Sequence, residues 1–374
     1  MSISATSAFI CAHLRAKIVT MKSYSLTLSA IQDETKDAYT LRFATTEAVF
    51  STYKAGQYLT LKLVIKGEQV RRAFSLSSSP ATDKDLAVTI KRIEGGKASN
   101  YLRNTLKVGD KIDVFPPMGN FLIDTGANNC KHYILIGAGS GITPLMSMLK
   151  TVLSVEKNSK ITLWYGNSHE ESIIFAQELT NLKQQYGSRL NVVLMLSRPS
   201  ASWAGQTGRL DENNIYSLVS ELFMTDEYRK VYYLCGPEGM MKAGQTALEK
   251  HGVNPADVHR EYFAAPAPTD EEIHEVHGEK PTITTEIVTI ILDGETYQVP
   301  VPAGQYIVDA AIDFGIDPPY SCQAGICTTC RGLCKSGKVE MDESEGLSDQ
   351  ELREGYVLTC QAKVLQGPVV IEYK

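Results

Sequence analysis

Residues 322–330 constrain this chain most, because they concentrate three cysteines in one short loop. Cys322, Cys327 and Cys330 follow the spacing C-x4-C-x2-C, and Cys360 comes later in the chain. Three thiolates on one loop and a fourth from a later element form the ligand pattern of a [2Fe–2S] cluster. Tetrahedral zinc also suits four thiolates, but zinc sites usually hold their ligands as two short cysteine pairs. The spacing therefore predicts a [2Fe–2S] site with these four cysteines as ligands, and zinc is the alternative.

One residue within the loop, Gly325, and one shortly after it, Cys334, refine this prediction. Gly325 supports a cluster, because a loop whose N–H groups turn inward onto sulfur needs a residue without a crowding Cβ. Cys334 lies four residues after the third ligand. We interpret Cys334 as a packed thiol, with competition for a ligand position as the alternative.

Length and composition predict a globular protein of several domains. A chain of 374 residues is too long for one hydrophobic core and should form two or three domains. Hydrophobic residues make up 43% and charged residues 21%, which excludes a disordered or fibrous class. No apolar run in the sequence has the length of a membrane span. The remaining cysteines are scattered without a disulfide pattern, which indicates a reducing compartment, and we expect the cytoplasm.

Charge is concentrated in the last part of the chain. Residues 284–374 contain 14 Asp and Glu against 6 Lys and Arg, a net charge of −8, so the rest of the chain carries +2 within the total of −6. An acidic domain on a nearly neutral body predicts docking to a basic partner surface and argues against nucleic acid. Simple solubility is the alternative explanation of these charges.

The first half of the chain is predicted to hold a leader and a β-rich domain. Residues 1–23 contain no acidic residue, and their apolar stretch is interrupted by basic residues, so we interpret them as a disordered leader. In residues 24–126, short apolar runs separated by turn residues predict an antiparallel β-barrel. The predicted strands are 39–43, 58–64, 72–77, 86–93 and 111–115. A helix over 100–106 follows two glycines, and such a junction suits an anion.

The second half is predicted to hold an α/β domain, a linker and a small α+β domain. Residues 127–263 alternate strands with helices, which predicts a doubly wound parallel sheet. Its strands are 132–136, 161–165, 190–196 and 230–235, and its helices include 145–155, 175–186 and 239–251. Residues 264–283, rich in Ala, Pro and acids, are interpreted as a linker. In 284–374 we expect a hairpin of 287–292 and 295–301, a helix near 307–314, and strands 356–360 and 369–373.

Several short motifs together resemble those of a known family. They are the stretches RAFS at 72–75, GKAS at 96–99, GAGSGITP at 137–144, CGP at 235–237 and HREYF at 259–263. With the cysteine loop, they resemble the ferredoxin–NADP reductase superfamily in its three-domain form with a C-terminal plant-type ferredoxin. The resemblance implies a β-barrel for FAD, a doubly wound domain for NAD(P) and a β-grasp-like ferredoxin domain. Within the superfamily, the chain resembles reductase components of the phenylacetyl-CoA epoxidase type.

For FAD, the resemblance implies two sets of binding residues. Arg72 would pair with the pyrophosphate, Phe74 would lie against the isoalloxazine, and Ser75 would hydrogen-bond near flavin N5. Phe74 stands where the family usually has tyrosine, which keeps the stacking face but loses the hydroxyl. The second set flanks the phosphates and comprises Ile90, Lys91, Arg92, Gly96, Lys97, Ala98 and Ser99.

For the nicotinamide nucleotide, the resemblance implies three further groups of residues. Ile142 departs from the G-x-G-x-x-G fingerprint, and the loop fits the family's G-x-G-x-G-x-x-P instead. Ser197 and Arg198 resemble the pair that holds the 2′-phosphate of NADPH, although NADH-using relatives can carry a similar pair. We expect NADPH or NADH and favour NADPH. The other implied residues are Gly137, Gly139, Gly141, Thr143, Cys235, Gly236, Pro237, Glu261 and Phe263.

Together these features imply an NAD(P)H-dependent oxidoreductase in which Ser75, Cys235 and Glu261 are catalytic. Electrons would pass through FAD and the [2Fe–2S] cluster to a separate oxygenase that docks at the acidic ferredoxin domain. The phenylacetyl-CoA epoxidase type implies a place in phenylacetate catabolism. Two alternatives are a reductase for a desaturase or other hydroxylase, and a redox-sensing protein without turnover.

Overall fold

The computed structural model describes residues 22–225, 227–263 and 285–373. Of the leader predicted at residues 1–23, residues 1–21 lie outside this range, and so does the whole linker predicted at 264–283. None of the helices in the described ranges has the length and hydropathy of a membrane span.

The first domain is a six-stranded antiparallel sheet with one helix. Its strands follow the order β4-β3-β6-β1-β2-β5, and its core includes Leu59, Leu61 and Leu63, spaced two apart along one strand. The elements are β1 (Tyr24–Thr35), β2 (Ala38–Ala44), β3 (Tyr58–Ile65), β4 (Glu68–Ser75), β5 (Leu86–Lys91), α1 (Lys97–Thr105) and β6 (Lys111–Val114).

The predicted antiparallel architecture is confirmed, but the barrel is not closed by a continuous ladder. The two edge strands meet through a single bridge between Leu76, just after β4, and Val88 on β5. Within the described residues, β4 itself is paired in the sheet with β3 alone.

The second domain is a parallel sheet with helices on both faces. Its six strands follow the order β10-β9-β8-β7-β11-β12, and every pair is parallel. One hydrophobic cluster contains residues of α2 and α3, and a second contains residues of α4 and α5. The elements are β7 (Lys131–Ala138), α2 (Ile142–Val155), β8 (Lys160–Asn167), α3 (Ala176–Tyr186), β9 (Leu190–Leu196), β10 (Gln206–Thr207), α4 (Glu212–Thr225), β11 (Arg229–Cys235), α5 (Glu238–Lys250) and β12 (Val258–Glu261).

The third domain is a small mixed sheet with two short helices. The order is β14-β13-β17-β15-β16, in which β13 and β17 are parallel and the other pairs antiparallel. Asp293 and Gly294 both have positive φ, as a two-residue hairpin turn requires, so the predicted hairpin is confirmed. The elements are β13 (Thr285–Leu292), β14 (Glu295–Pro302), α6 (Ile307–Asp313), β15 (Arg331–Met341), α7 (Asp349–Arg353), β16 (Tyr356–Leu358) and β17 (Ala362–Glu372).

Candidate functional site

The stretch GAGSGITP at 137–144, which we call the glycine loop, lies at the carboxyl ends of β7 and β11, where a doubly wound sheet binds its ligand. A Cβ built on Gly141 would lie 1.9 Å from the carbonyl oxygen of Cys235, so only glycine fits this approach between two loops. The Tyr165 hydroxyl donates to the Gly139 carbonyl at 2.9 Å, and the Thr143 hydroxyl donates to that of Ser140 at 3.0 Å. These contacts hold the loop in one shape before the first turn of α2.

The parallel register brings the predicted catalytic residues together. In the sheet, Cys235 at the end of β11 pairs with Gly137 on one side and Glu261 on the other. The Ser75 hydroxyl, at the end of β4 in the first domain, donates to Oε2 of Glu261 at 3.2 Å. The three residues therefore meet where the first and second domains face each other.

The surroundings of Glu261 and Cys235 keep both side chains uncharged at neutral pH. Glu261 is partly exposed to a cleft, yet packing around its carboxyl raises its pKa to about 8, while the Ser75 hydrogen bond opposes that rise. Burial and, to a lesser extent, Glu261 raise the pKa of the Cys235 thiol well above its usual range. At neutral pH the Glu261 carboxyl is therefore protonated, and the Cys235 thiol is neutral.

A smaller pocket of about 220 Å³ adjoins this site. It is lined by the glycine loop, by Gly236 and Pro237, by Phe263, and by Lys91 from the first domain. A Cβ built on Gly139 would lie 3.5 Å from the Lys91 ammonium, so the cation sits against the glycine loop. A lysine ammonium, a glycine-rich backbone and an aromatic ring form a pocket suited to a phosphate-bearing nucleotide.

The predicted FAD residues lie along β4, β5 and the start of α1. Arg72 is exposed and Phe74 half-buried against the first domain's core. Gly96 begins α1 without a side-chain cap, which leaves first-turn N–H groups free for an anion. A Cβ on Gly96 would meet the Ser99 hydroxyl at 2.7 Å, and Ala98 is buried. Three of the predicted side chains point elsewhere: Ile90 lies in the core, Arg92 binds Asn100, and Lys97 pairs with Glu68.

Ser197 and Arg198 lie apart from these residues, immediately after β9. Their backbone N–H groups donate to the carbonyls of Asn167 and Ser168 at 3.0 and 2.8 Å, which fixes the turn after β8. Arg198 is exposed. Neither residue lines the pocket that holds the glycine loop.

The four predicted cluster ligands converge in the third domain. The Cys322 sulfur lies within hydrogen-bonding reach of the Cys327 and Cys360 sulfurs, and Cys360 also reaches Cys330. The backbone N–H of Ala324 donates to the Cys322 sulfur at 3.3 Å. In the described residues, no three His, Cys, Asp or Glu side chains form the coordination shell of a single metal ion. Four mutually adjacent thiols with N–H donors around them fit a cluster.

Gly325 and Cys334 behave as the sequence predicts. Gly325 has φ of +71°, and a Cβ there would lie 2.6 Å from the Glu343 side chain, so the loop requires glycine. Cys334 lies on β15, and its sulfur donates to the Ser336 carbonyl at 3.3 Å. Cys334 is a half-buried thiol and does not belong to the group of adjacent sulfurs.

Tyr58 and Arg71 also lie in this region, although neither residue belongs to a motif identified in the sequence. The Tyr58 hydroxyl donates to the Cys327 carbonyl, and the Arg71 guanidinium pairs with Asp317 of the third domain. A cleft of about 780 Å³ lies beside them, lined by Tyr58, Glu261 and Cys327, one from each domain. Thus the three domains meet at one cleft.

Family models match the chain in three consecutive segments. Residues 25–123 match the oxidoreductase FAD-binding domain, residues 135–246 the oxidoreductase NAD-binding domain, and residues 290–365 the 2Fe-2S iron-sulfur cluster binding domain. These matches agree with the three sheets, and they support FAD, NAD(P)H and a [2Fe–2S] cluster as the cofactors. The cluster prediction is therefore confirmed over zinc.

Similar proteins share this three-part organisation along nearly their whole length. The chain is 35% identical to a component of the 1,2-phenylacetyl-CoA epoxidase of Escherichia coli K12, over 94% of this chain and 97% of that protein. It is 34% identical to the 3-ketosteroid-9-alpha-monooxygenase ferredoxin reductase component of Rhodococcus rhodochrous, over 94% and 97%. The structure of phthalate dioxygenase reductase superposes with a TM-score of 0.57 at 21% identity, over 94% and 98%. The last likeness shows the fold.

Sequence, fold and site agree on one assignment. The segments, their order and the extent of the similarity are those of an NAD(P)H oxidoreductase that serves as an oxygenase reductase component. This chain belongs to the ferredoxin–NADP reductase superfamily, in its three-domain FAD, NAD(P) and [2Fe–2S] form.

Proposed function

We propose that this chain is the reductase component of a multicomponent oxygenase of the phenylacetyl-CoA epoxidase type. The observation that carries the proposal is the meeting of Ser75, Glu261 and Cys327 beside one cleft. A nucleotide site, a flavin motif and a cluster loop that lie this close support transfer of electrons along one short route. The relative named for phenylacetyl-CoA epoxidase supplies the acceptor type.

The cofactors supply the redox chemistry, and the protein supplies position and environment. FAD takes a hydride and releases electrons singly, and a [2Fe–2S] centre carries one electron at a time. Lys91 at the end of β5 and the start of α1 would offer a cation and N–H groups to the FAD pyrophosphate, and the exposed Arg72 on β4 would offer a second cation. Phe74 offers its ring face to the isoalloxazine.

On the nucleotide side, we assign positioning roles to the residues around Glu261. The neutral Cys235 thiol presents no charge to the nicotinamide, and the glycine loop leaves room for the pyrophosphate. Ser75 holds the Glu261 carboxyl toward the first domain, and a flavin bound there would find a protonated carboxyl within that hydrogen-bonded pair. Phe263, 43% exposed and part of the lining of the adjoining pocket, would flank the flavin.

Ser197 and Arg198 are proposed to select NADPH by holding its 2′-phosphate. Arg198→Ala should weaken NADPH by roughly 10-fold, the value of one charge-assisted contact, and leave NADH unchanged. Titration of each nucleotide against flavin reduction measures this. An equal loss for both nucleotides would remove the assignment and leave Arg198 as a solvated strand-end residue.

The oxygenase is proposed to dock at the acidic edge of the third domain. Glu345, Asp349 and Glu354 are exposed and line the same cleft as Cys327, so a basic partner bound there would sit close to the cluster. Seven cysteines in the described ranges are all unpaired, which supports a reducing compartment and therefore the cytoplasm.

The test is reconstitution with candidate acceptors. NAD(P)H-dependent reduction of cytochrome c should be rapid, and a phenylacetyl-CoA-type oxygenase component should turn over with this chain as its reductase. The ketosteroid monooxygenase relative is as similar as the epoxidase relative, so a steroid hydroxylase component is the second candidate. Turnover with that component alone would replace the proposed acceptor. Flavin reduction without onward transfer to any acceptor would refute the reductase role.

A further inference from the structure

The first domain, here called the FAD domain, and the third domain, here called the ferredoxin domain, contact each other beside the flavin motif RAFS at 72–75. On the FAD domain the contacts come from Tyr58 at the start of β3, Arg71 on β4, and Asn120 after β6. We call these three residues the docking face. They lie on or beside one sheet, since Arg71 pairs with Lys62 on β3 and Tyr58 forms a bridge with Met118, two residues before Asn120.

Tyr58 joins the flavin side of the molecule to the cluster loop. It is only 4% exposed, and its hydroxyl reaches both the Cys327 carbonyl oxygen and, at 2.9 Å, Oγ1 of Thr329. Oγ1 of Thr329 lies in turn 3.2 Å from the Cys327 sulfur. One phenol thus contacts the backbone of a cluster ligand and the hydroxyl that faces that ligand's sulfur.

The number of hydroxyl protons around Tyr58 limits which of these groups can donate a hydrogen bond. The Cys327 carbonyl accepts only, so it takes the single proton of the Tyr58 hydroxyl. The Thr329 hydroxyl can then donate either to the Tyr58 oxygen or to the Cys327 sulfur. The Tyr58 oxygen therefore competes with the Cys327 sulfur for the Thr329 proton, and removal of the phenol hydroxyl would leave the sulfur without this competitor.

Arg71 forms the second contact, which is largely shielded from solvent. Its guanidinium pairs with Asp317 at 2.5 Å and lies between the rings of Phe115 and Tyr320, at 5.0 and 4.2 Å from their centroids. Its Nε and Nη1 have no hydrogen-bond partner within the described residues. Stacking on both faces and one ion pair hold a cation that faces the ferredoxin domain.

Asn120 forms the third contact, at the rim of the cleft. Its side-chain amide donates to Oε1 of Glu351 at 2.5 Å, and the same carboxylate pairs with Arg331 beside the cluster loop. The three contacts reach the ferredoxin domain at separated points, before, within and after the cluster loop. Such a spread fixes orientation as well as distance.

We propose that the docking face holds the ferredoxin domain in the position that receives electrons from FAD. Tyr58 is the positioning residue that fixes the cluster loop against the flavin site, and the Arg71–Asp317 pair clamps the domain. The proposal rests on the proposed function in one respect, that electrons pass from FAD to the cluster.

The first experiment compares Tyr58→Phe with Tyr53→Phe in the full-length protein with its cofactors bound. Tyr53 is a matched control, because its buried hydroxyl bonds only to Ser78, within the FAD domain. In stopped-flow kinetics, Tyr58→Phe should slow cluster reduction by the flavin roughly 3- to 10-fold, the worth of one hydrogen bond. Flavin reduction by NAD(P)H should keep its rate in both variants.

A second readout separates positioning from a general structural effect. Because Tyr58→Phe removes the oxygen that competes with the Cys327 sulfur for the Thr329 proton, the sulfur should accept a stronger hydrogen bond, and the cluster's reduction potential should rise in this variant and not in Tyr53→Phe. A slower transfer despite the larger driving force identifies a positioning defect. Redox titration followed by electron paramagnetic resonance measures the potential.

The clamp is tested by a double-mutant cycle with Arg71→Met and Asp317→Asn. Amide hydrogen exchange of residues 322–330 reports docking, and flavin and iron content show that each variant has folded. Each single variant should accelerate exchange, and the double variant should add little to either, because the pair acts as one unit. Asp317→Asn is the milder change, so its effect on the exchange of residues 322–330 still tests the clamp if Arg71→Met fails to fold.

Two outcomes would overturn the proposal. One is Tyr58→Phe with the transfer rate and cluster potential of Tyr53→Phe. The other is additive exchange effects for Arg71→Met and Asp317→Asn. Failure of the proposed function is distinguishable, since the wild-type cluster would then stay oxidised after the flavin is reduced.

Discussion

Ser75 and Glu261 show how two side chains 186 residues apart become one chemical unit. Ser75 ends a strand of the FAD domain, and Glu261 ends the edge strand of the NAD domain. The hydroxyl donates to the carboxylate, so it stabilises the ionised form, whereas burial stabilises the protonated form. Burial dominates, and Glu261 carries a proton at neutral pH.

This balance predicts the pH dependence of flavin reduction. The rate of flavin reduction by NAD(P)H should change near pH 8, where the Glu261 carboxyl loses its proton. Ser75→Ala removes the donor that favours the ionised form, so the inflection should move to higher pH. Stopped-flow rates across this range measure the shift.

Glu261→Gln is the control for that assignment. The amide cannot titrate, so its profile should be flat through the same range. An inflection that persists in Glu261→Gln would assign the titration to another group and remove Glu261 from the proton balance.

At the scale of the element, the glycine loop is shaped by the loop that follows β11. Gly141→Ala would place a Cβ against the Cys235 carbonyl, and backbone cannot yield as a flexible side chain does. Overpacking of this kind costs about 1 to 3 kcal/mol, so NAD(P)H should bind roughly 10- to 100-fold more weakly.

Gly239→Ala offers a matched control on the next helix. Gly239 lies in α5, and a Cβ there would meet nothing within 4 Å. Nucleotide affinity should stay unchanged, and stability should rise by about 0.5 to 1 kcal/mol because alanine favours helix. Nucleotide titration and thermal melting test both variants; equal affinities in the two would contradict the close approach of the loops.

The cysteine loop and β15 give a second contrast between neighbouring residues. Cys330→Ser removes a thiol that contacts Cys360, and the protein should lose its iron and its cluster absorption. Cys334→Ser changes a thiol on β15 that bonds to the Ser336 carbonyl, and the iron content should stay at two per chain, as a [2Fe–2S] centre requires. Iron analysis decides, and loss of iron in Cys334→Ser would make it a ligand.

Sequence predicts elements and ligands best where the determining residues are local. Cys322, Cys327 and Cys330 share one loop, and the strands of the NAD domain are compact apolar runs, so both follow from short windows. The strand β15 escaped prediction because its residues, RGLCKSGKVEM, mix charges and glycines and pair across three register shifts.

The contacts of Tyr58 and Arg71 could not be predicted for a different reason. They join residues 246 to 271 positions apart, across two domains. No periodicity or spacing records how one folded domain sits on another, because that depends on two finished surfaces. The incomplete closure of the predicted barrel also depends on residues distant in sequence, because its edge strands meet through one bridge between Leu76 and Val88.

At the scale of the whole molecule, the two proposed electron transfers would depend on two kinds of electrostatic contact. Between domains, Arg71 and Asp317 form a pair whose side chains are 3% and 22% exposed, so dissolved ions screen it weakly. Toward a partner, the ferredoxin domain presents exposed acids such as Glu345, Asp349 and Glu354. Such exposed charges are screened within about 10 Å at 0.1 M salt.

Salt should therefore separate internal from external transfer. Raising ionic strength should lower the second-order rate of electron delivery to a basic partner by roughly 10-fold or more, because steering by exposed charges is lost. Cluster reduction by the flavin, measured in the same protein at saturating nucleotide, should change by less than about 2-fold, because its ion pair is shielded. Stopped-flow and steady-state rates over a salt series measure both steps. A parallel decline of the two rates would mean that the ferredoxin domain meets the flavin through exposed charges and leaves its docked position in each cycle. A partner rate insensitive to salt would instead move the oxygenase contact away from the acidic edge, onto the apolar or neutral surface of the same domain.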